Sequence, residues 1–164
     1  MLLASLGLML ADRATAQTLT TLHSFTGYNG SIGASTNRDG QVPRDGLILS
    51  DSTLYGTTQW GGTNSSGTIF KMSTNGTGFT SLYNFTSLSN YDIFNNSPNS
   101  DGALPWAGLI MSGNTLYGTA QQGGTNGTGT VFAVNTNGAG FTDLHSFSAG
   151  SFNGLFRNVP AVFH

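Results

Sequence analysis

The chain has no cysteine and no glutamate, and Lys71 is its one lysine. Without cysteine there are no disulfides and no thiolate metal site, an absence that fits oxidising and reducing compartments alike. Only 7% of the 164 residues are charged. The acids are all aspartate, so strong helix formers are scarce and turn formers abundant. A net charge of -2 and a pI near 5.7 leave no basic stripe to follow a phosphate backbone, so nucleic acid is not an expected partner. The 24 glycines follow no three-residue period, which excludes a collagen helix. Regularly placed Leu, Ile, Phe and Tyr favour a packed fold over a disordered polar chain.

The sequence does have a repeat. Residues 53–70 read TLYGTTQWGGTNSSGTIF, and residues 115–132 read TLYGTAQQGGTNGTGTVF. The likeness extends without a gap over residues 37–86 and 99–148, where 29 of 50 positions are identical. Internal repeats of this length decide the kind of object a chain builds. A partial third copy lies near the N-terminus, where Leu22-His23-Ser24-Phe25 returns as Leu144-His145-Ser146-Phe147 and, loosely, as Leu82-Tyr83-Asn84-Phe85.

Alternating apolar and polar residues predict strands at 18–25, 47–49, 53–58, 68–73 and 79–86, then at 109–111, 115–120, 130–135 and 141–148. Asx-Gly pairs such as Asp39-Gly40 and Asn75-Gly76 punctuate them. The connections are too short for crossover helices, so each unit is expected to be a four-stranded antiparallel meander. The expected fold class is all-β, with tandem meanders arranged like β-propeller blades in a partial array. A stacked solenoid is the alternative. The expected layout is a signal peptide at 1–16, a flanking strand and loop at 17–36, repeat units at 37–98 and 99–148, and a degenerate or truncated tail at 149–164. The signal reading rests on the apolar run MLLASLGLML and on Ala14-Thr15-Ala16, a small-x-small cleavage site. That run is too short for a transmembrane helix, so no membrane span is expected in the mature chain.

Positions shared by the two units suggest their jobs. Leu54-Tyr55-Gly56 returns as Leu116-Tyr117-Gly118. A glycine inside a strand marks close approach or crowding. Phe70, Phe85, Phe132 and Phe147 supply the apolar area for packing one sheet on the next. Gly61-Gly62 and Gly123-Gly124 are expected at positive φ, and Asn75-Gly76 and Asn137-Gly138 in turns that need left-handed residues.

The order LHSF, GLI, LYGT, GGTNGTGTVF and NTNG, carried by residues 22–25, 46–85 and 108–147, resembles the GloVer-type tandem repeats of secreted bacterial proteins with varied surface anchors. The resemblance covers most of residues 18–148. It implies a secreted, cell-surface or periplasmic location. It supplies no activity and therefore no catalytic residue. It departs from larger members in being short and in ending without a recognisable anchor. A bacterial source implies that the Asn-x-Ser/Thr sequons, such as Asn64 and Asn126, carry no glycans.

Chemistry-bearing residues are few. Trp60 and Trp106 flank loops and are candidates for stacking on a sugar face or another flat surface, against the plainer reading of partial burial at a unit edge. Asn37-Arg38-Asp39-Gly40 and Asn99-Ser100-Asp101-Gly102 open like oxygen-ligand calcium loops, which makes Asp39 and Asp101 candidate metal positions. Position twelve is Ile48 or Ile110, not a bidentate acid, so an EF-hand is excluded and an Asx-Gly turn preferred. His23 and His145 occupy equivalent strand positions, with no third ligand spaced near either. No aspartate pair is singled out for glycosidase chemistry, and no G-x-S-x-G block appears. No cofactor is expected. The function expected is a non-catalytic extracellular repeat scaffold that binds protein or glycan through its inter-strand loops. The alternatives are a secreted hydrolase or lyase whose site needs a complete propeller, and a truncated repeat array with no independent function.

Overall fold

The computed structural model describes residues 18–26, 37–88 and 97–148. The signal reading at 1–16 and the tail at 149–164 lie outside the described residues, as does most of the polar segment 91–98. The fold is all-β. Among the described residues there is no helix, and none is long and apolar enough to cross a membrane.

The first sheet holds β1 (Ile48–Ser50), β2 (Thr53–Thr58), β3 (Thr68–Ser73) and β4 (Thr80–Asn84) in chain order, every neighbour antiparallel. The second holds β5 (Ala103–Pro105), β6 (Ile110–Ser112), β7 (Thr115–Gln122), β8 (Thr130–Asn135) and β9 (Thr142–Ser146). Strands β6 to β9 repeat the meander. The fifth strand, β5, has no counterpart among the strands that alternation predicts. It pairs beside β6 on the same edge of β7, through Ala103↔Gln122 and Pro105↔Ala120. The first sheet reduces this feature to one bridge, Gln41↔Trp60. Pro105 fits there because an edge position demands no N–H from it.

Registers of the two sheets coincide. Gly56 faces Phe70 and Gly118 faces Phe132. A Cβ on Gly118 would stand 2.5 Å from the Phe132 ring and 2.9 Å from Leu109, so glycine is present to let the ring lie flat across the neighbouring strand. Both sheets carry a register shift at the same place, between Ile69 and Phe70 and between Val131 and Phe132. Gly61, Gly62, Gly123 and Gly124 all have φ between 75° and 77°, as their doublets suggested. In the Asn-Gly turns only the glycine is left-handed. Asn75 instead accepts hydrogen bonds from the Thr77 amide at 3.0 Å and the Thr77 hydroxyl at 2.7 Å.

The core lies between the sheets. Tyr55 and Ile69 on the far face of the first sheet, with Phe85, meet Leu109, Leu116, Phe132 and Val134 of the second. The fully buried Phe85 and Phe132 anchor this contact. A buried large side chain contributes about 1.5–3 kcal/mol. A backbone bond from the Leu104 amide to the Ser66 carbonyl, 2.9 Å, also crosses between units.

One expected strand is absent. Residues 18–26 run beside the first sheet without joining a ladder. In the first unit β4 is a strand because β3 pairs with it through Thr68↔Asn84 and Ile69↔Tyr83. Among the described residues, no strand offers residues 18–26 the same partner.

Candidate functional site

Each unit opens with an Asn-x-Asp-Gly turn, and both acidic side chains reach back to the preceding segment. The Asn37 carboxamide oxygen accepts the amides of Gly40 at 2.8 Å and Gly62 at 2.9 Å, and its nitrogen donates to the Gly40 carbonyl at 2.9 Å. Asn99 repeats these bonds to Gly102 and Gly124. The side chain thus locks the turn against the Gly-Gly loop. It also donates backward, Asn99 to the Thr86 carbonyl at 3.0 Å and Asn37 to the Thr26 carbonyl at 3.4 Å.

The turn aims its aspartate at the same partner residue. Asp101, 3% exposed, accepts the Thr86 amide at 2.9 Å, the Thr86 hydroxyl, and the Tyr83 hydroxyl at 2.7 Å. Asp39 accepts the Thr26 amide at 2.9 Å, the Thr26 hydroxyl, and His23 Nε2 at 3.3 Å. Burial pushes the Asp39 carboxyl up, but bonds from the Thr26 hydroxyl and amide, its own amide and His23 outweigh it and hold the group below its ordinary 3.8. Burial, with the bond to Asp101 and its negative charge, pushes the Tyr83 phenol well above its ordinary range. The two carboxylates are therefore filled by donors of the protein itself. Among the described residues, no three His, Cys, Asp or Glu side chains gather in a way that would hold a metal ion.

Aromatic rings reinforce each clasp. Tyr83 stacks on Phe141, with centroids 4.0 Å apart and planes at 8°. His23 stacks on Phe79 at 4.0 Å and 9°. Phe85 meets Phe132 edge-on at 5.3 Å, as Phe25 meets Phe70 at 5.4 Å. Each such pair adds about 0.5–1.5 kcal/mol beyond the area it buries. Residues 22–26 thus sit against the first sheet as 82–86 sit against the second. His145 meets Phe147 at 4.9 Å, but neither ring reaches a further unit among the described residues.

A second junction carries the exposed polar groups. Asp45 accepts the amide of Gly108 from the next unit, and the amide of Gly46 at 2.7 Å. Its neighbour Arg44 donates from Nε to the Gln59 carboxamide at 2.5 Å, and its guanidinium lies 4.6 Å from the centre of the Trp106 ring. Such a cation–π contact contributes about 0.5–1 kcal/mol at an exposed site.

Of the tryptophans, Trp106 lies half-exposed under Arg44, and Trp60 is partly buried in the bridge to Gln41. No ring contact joins them among the described residues. Of the packing positions, Tyr55, Phe70, Phe85, Leu116 and Phe132 are buried, while Leu54 and Tyr117 are half-buried and Phe147 is exposed. The residues that sequence reasoning missed are Thr26, Thr86 and Tyr83 as partners of Asp39 and Asp101. A signal existed: each Leu-x-x-Phe motif is followed by Thr26, Thr86 or Ser148.

Residues 32–160 match the family model described as the Gloeobacter/Verrucomicrobia repeat. The match spans well over half of the 164 residues, and the chain belongs to that family. No curated protein and no solved structure matches the chain.

Proposed function

We propose that this Gloeobacter/Verrucomicrobia repeat chain is a non-catalytic extracellular scaffold whose units stand side by side as propeller blades do, and which offers its inter-strand loops to a protein or glycan. One observation carries the reading. Three of the five described aspartates are committed to joining units, since Asp39, Asp101 and Asp45 each accept donors across a unit boundary, while Asp51 is exposed and Asp143 accepts the Ser146 hydroxyl within its own unit. Beside that junction stands an exposed platform for recognition, Trp106, 47% exposed and held under Arg44. An aromatic ring beside a fixed guanidinium suits a partner with a flat apolar face and hydrogen-bond acceptors, which both sugars and peptides have. The membership in a repeat family supports a scaffold role, and the leader-like residues 1–16 support export.

The test is a glycan array and a protein-capture panel run beside a hydrolase and lyase substrate panel, with wild type, Trp106→Ala and Trp60→Ala. Binding without turnover, lost in Trp106→Ala, supports the scaffold. Turnover that a single Asp→Asn change abolishes defeats it in favour of an enzyme.

A further inference from the structure

The two sheets present faces of one kind to different neighbours. On the far face of the first sheet, Tyr55 and Ile69 are buried against the second sheet, and Phe85 is fully buried. Among the described residues nothing covers the equivalent face of the second sheet. Tyr117 and Val131 are only half-buried, while Ile110 is 71%, Leu144 53% and Phe147 44% exposed. At the other end of the molecule a cavity of about 340 Å³ opens beside the first sheet, its apolar lining formed by Leu22, Phe25, Pro43, Leu47, Phe70 and Met72, with His23 and Asp45 as its polar members. The counterparts of the apolar six at the junction between the two sheets are Leu82 and Phe85 of the first unit with Pro105, Leu109, Phe132 and Val134 of the second. Several of these form the core against which Tyr55 and Ile69 pack. The cavity thus resembles the near half of an inter-unit contact that lacks a far half among the described residues, and Ile110, Tyr117 and Val131 offer the matching far half.

We infer that these two faces join head to tail between two copies of the chain, and that Leu144–Phe147 of one copy replaces Leu22–Phe25 in the clasp of the other. Three observations select a second copy as occupant. The tetrapeptides 22–25 and 144–147 are identical, Leu-His-Ser-Phe. Segment 22–26 already occupies the clasp formed by Asp39 and Phe79, so this clasp accepts that sequence. Ser148 follows Phe147 where Thr26 follows Phe25, so a hydroxyl and an amide are again offered to Asp39. Exchange swaps like contacts for like, so its net drive is burial of the open sheet face in the cavity. The contact is heterologous, and it closes into a ring or continues as a filament according to the rotation per unit. Segment 18–26 then acts as a built-in plug. The inference is independent of what the loops bind.

The test is sedimentation velocity of the full chain across a concentration series, with Ile110→Asp on the open face and Leu47→Asp in the cavity. Both side chains are well exposed, so both variants should fold, which circular dichroism checks. Wild type should associate with concentration, and each variant alone should stay monomeric. An equimolar mixture should stop at a 1:1 dimer, because each variant keeps the face that the other lacks. Phe25→Ala, which weakens the plug, should tighten association relative to wild type by about tenfold or more, since ring contacts to both Phe70 and Phe79 are lost. Phe147→Ala should weaken it. A wild type that stays monomeric throughout overturns the inference, whether residues 149–164 or nothing covers the open face. Assembly that survives Ile110→Asp and Leu47→Asp also overturns it. Loss of glycan or protein binding by Trp106→Ala with assembly intact bears only on the scaffold reading.

Discussion

Replacing Asp101 should release the junction between the two sheets. The carboxylate is 3% exposed and accepts three donors, the Thr86 amide, the Thr86 hydroxyl and the Tyr83 hydroxyl. A hydrogen bond to a charged group contributes about 1.5–3 kcal/mol net. Three such bonds would sum higher, but Tyr83 and Thr86 are half-buried and recover part of the loss to water, and the protein no longer bears the cost of desolvating a carboxylate. The expected cost of Asp101→Ala is about 3 kcal/mol. Asp101→Asn keeps an acceptor for the Thr86 amide and should cost about 1–2 kcal/mol. With a urea m value of about 1.5 kcal/mol/M, the alanine variant should unfold at a midpoint about 2 M lower. The assay is urea unfolding followed by tryptophan fluorescence at low protein concentration. Asp51→Asn serves as a control: Asp51 is exposed at φ 51°, a conformation asparagine tolerates, and its change should stay within about 0.5 kcal/mol. Pairing Asp101→Ala with Tyr83→Phe in a double-mutant cycle should give a coupling of about 1 kcal/mol. A midpoint shift of Asp101→Ala no larger than that of the control, or a coupling of zero, would refute the claim that this carboxylate joins the units.

Three further outcomes follow from the same geometry. Gly118→Ala should destabilise by about 1–3 kcal/mol in thermal or urea unfolding, because its Cβ would meet the Phe132 ring at 2.5 Å; an unchanged midpoint would mean the ring moves aside freely. Phe85→Ala should cost about 3–5 kcal/mol, whereas Phe147→Ala at the equivalent position should cost under about 1 kcal/mol in dilute protein, since the first is fully buried and the second is 44% exposed; equal costs would contradict the open face. The native Asp39 carboxyl lies below its ordinary 3.8, so its contribution is complete above that pH and is lost as pH falls through the native value. Wild type should therefore lose stability below about pH 4 more steeply than Asp39→Asn, and parallel acid limbs in urea midpoints would count against the bonds from Thr26 and His23.

The element boundaries were legible because the strands obey a two-residue alternation twice over, at a constant offset. Strands β2, β3 and β8 lie where alternation placed them, and the internal glycines mark where an aromatic ring crosses a strand. The Asx-Gly turns at Asp39 and Asp101 were legible as turns. Their second task was not, because the donors on Thr26 and Thr86 lie 13 and 15 residues back in another unit, and nothing in the local pattern states which way the carboxylate points. Strand β5 was equally hidden, since three residues with a proline give no alternation to read.

The sequence by itself determined the all-β class, the two meanders, the turn chemistry and the aromatic positions, since these follow from local conformational preference and the spacing of apolar side chains. Only the tertiary structure decided burial. Leu22-His23-Ser24-Phe25 and Leu144-His145-Ser146-Phe147 are the same four residues, yet the first is held by Asp39 and Phe79 and the second leaves Leu144 and Phe147 exposed. Identical local chemistry acquires different surroundings because water is removed from a side chain by whatever unit stands next to it, and that neighbour is set by the packing of distant segments.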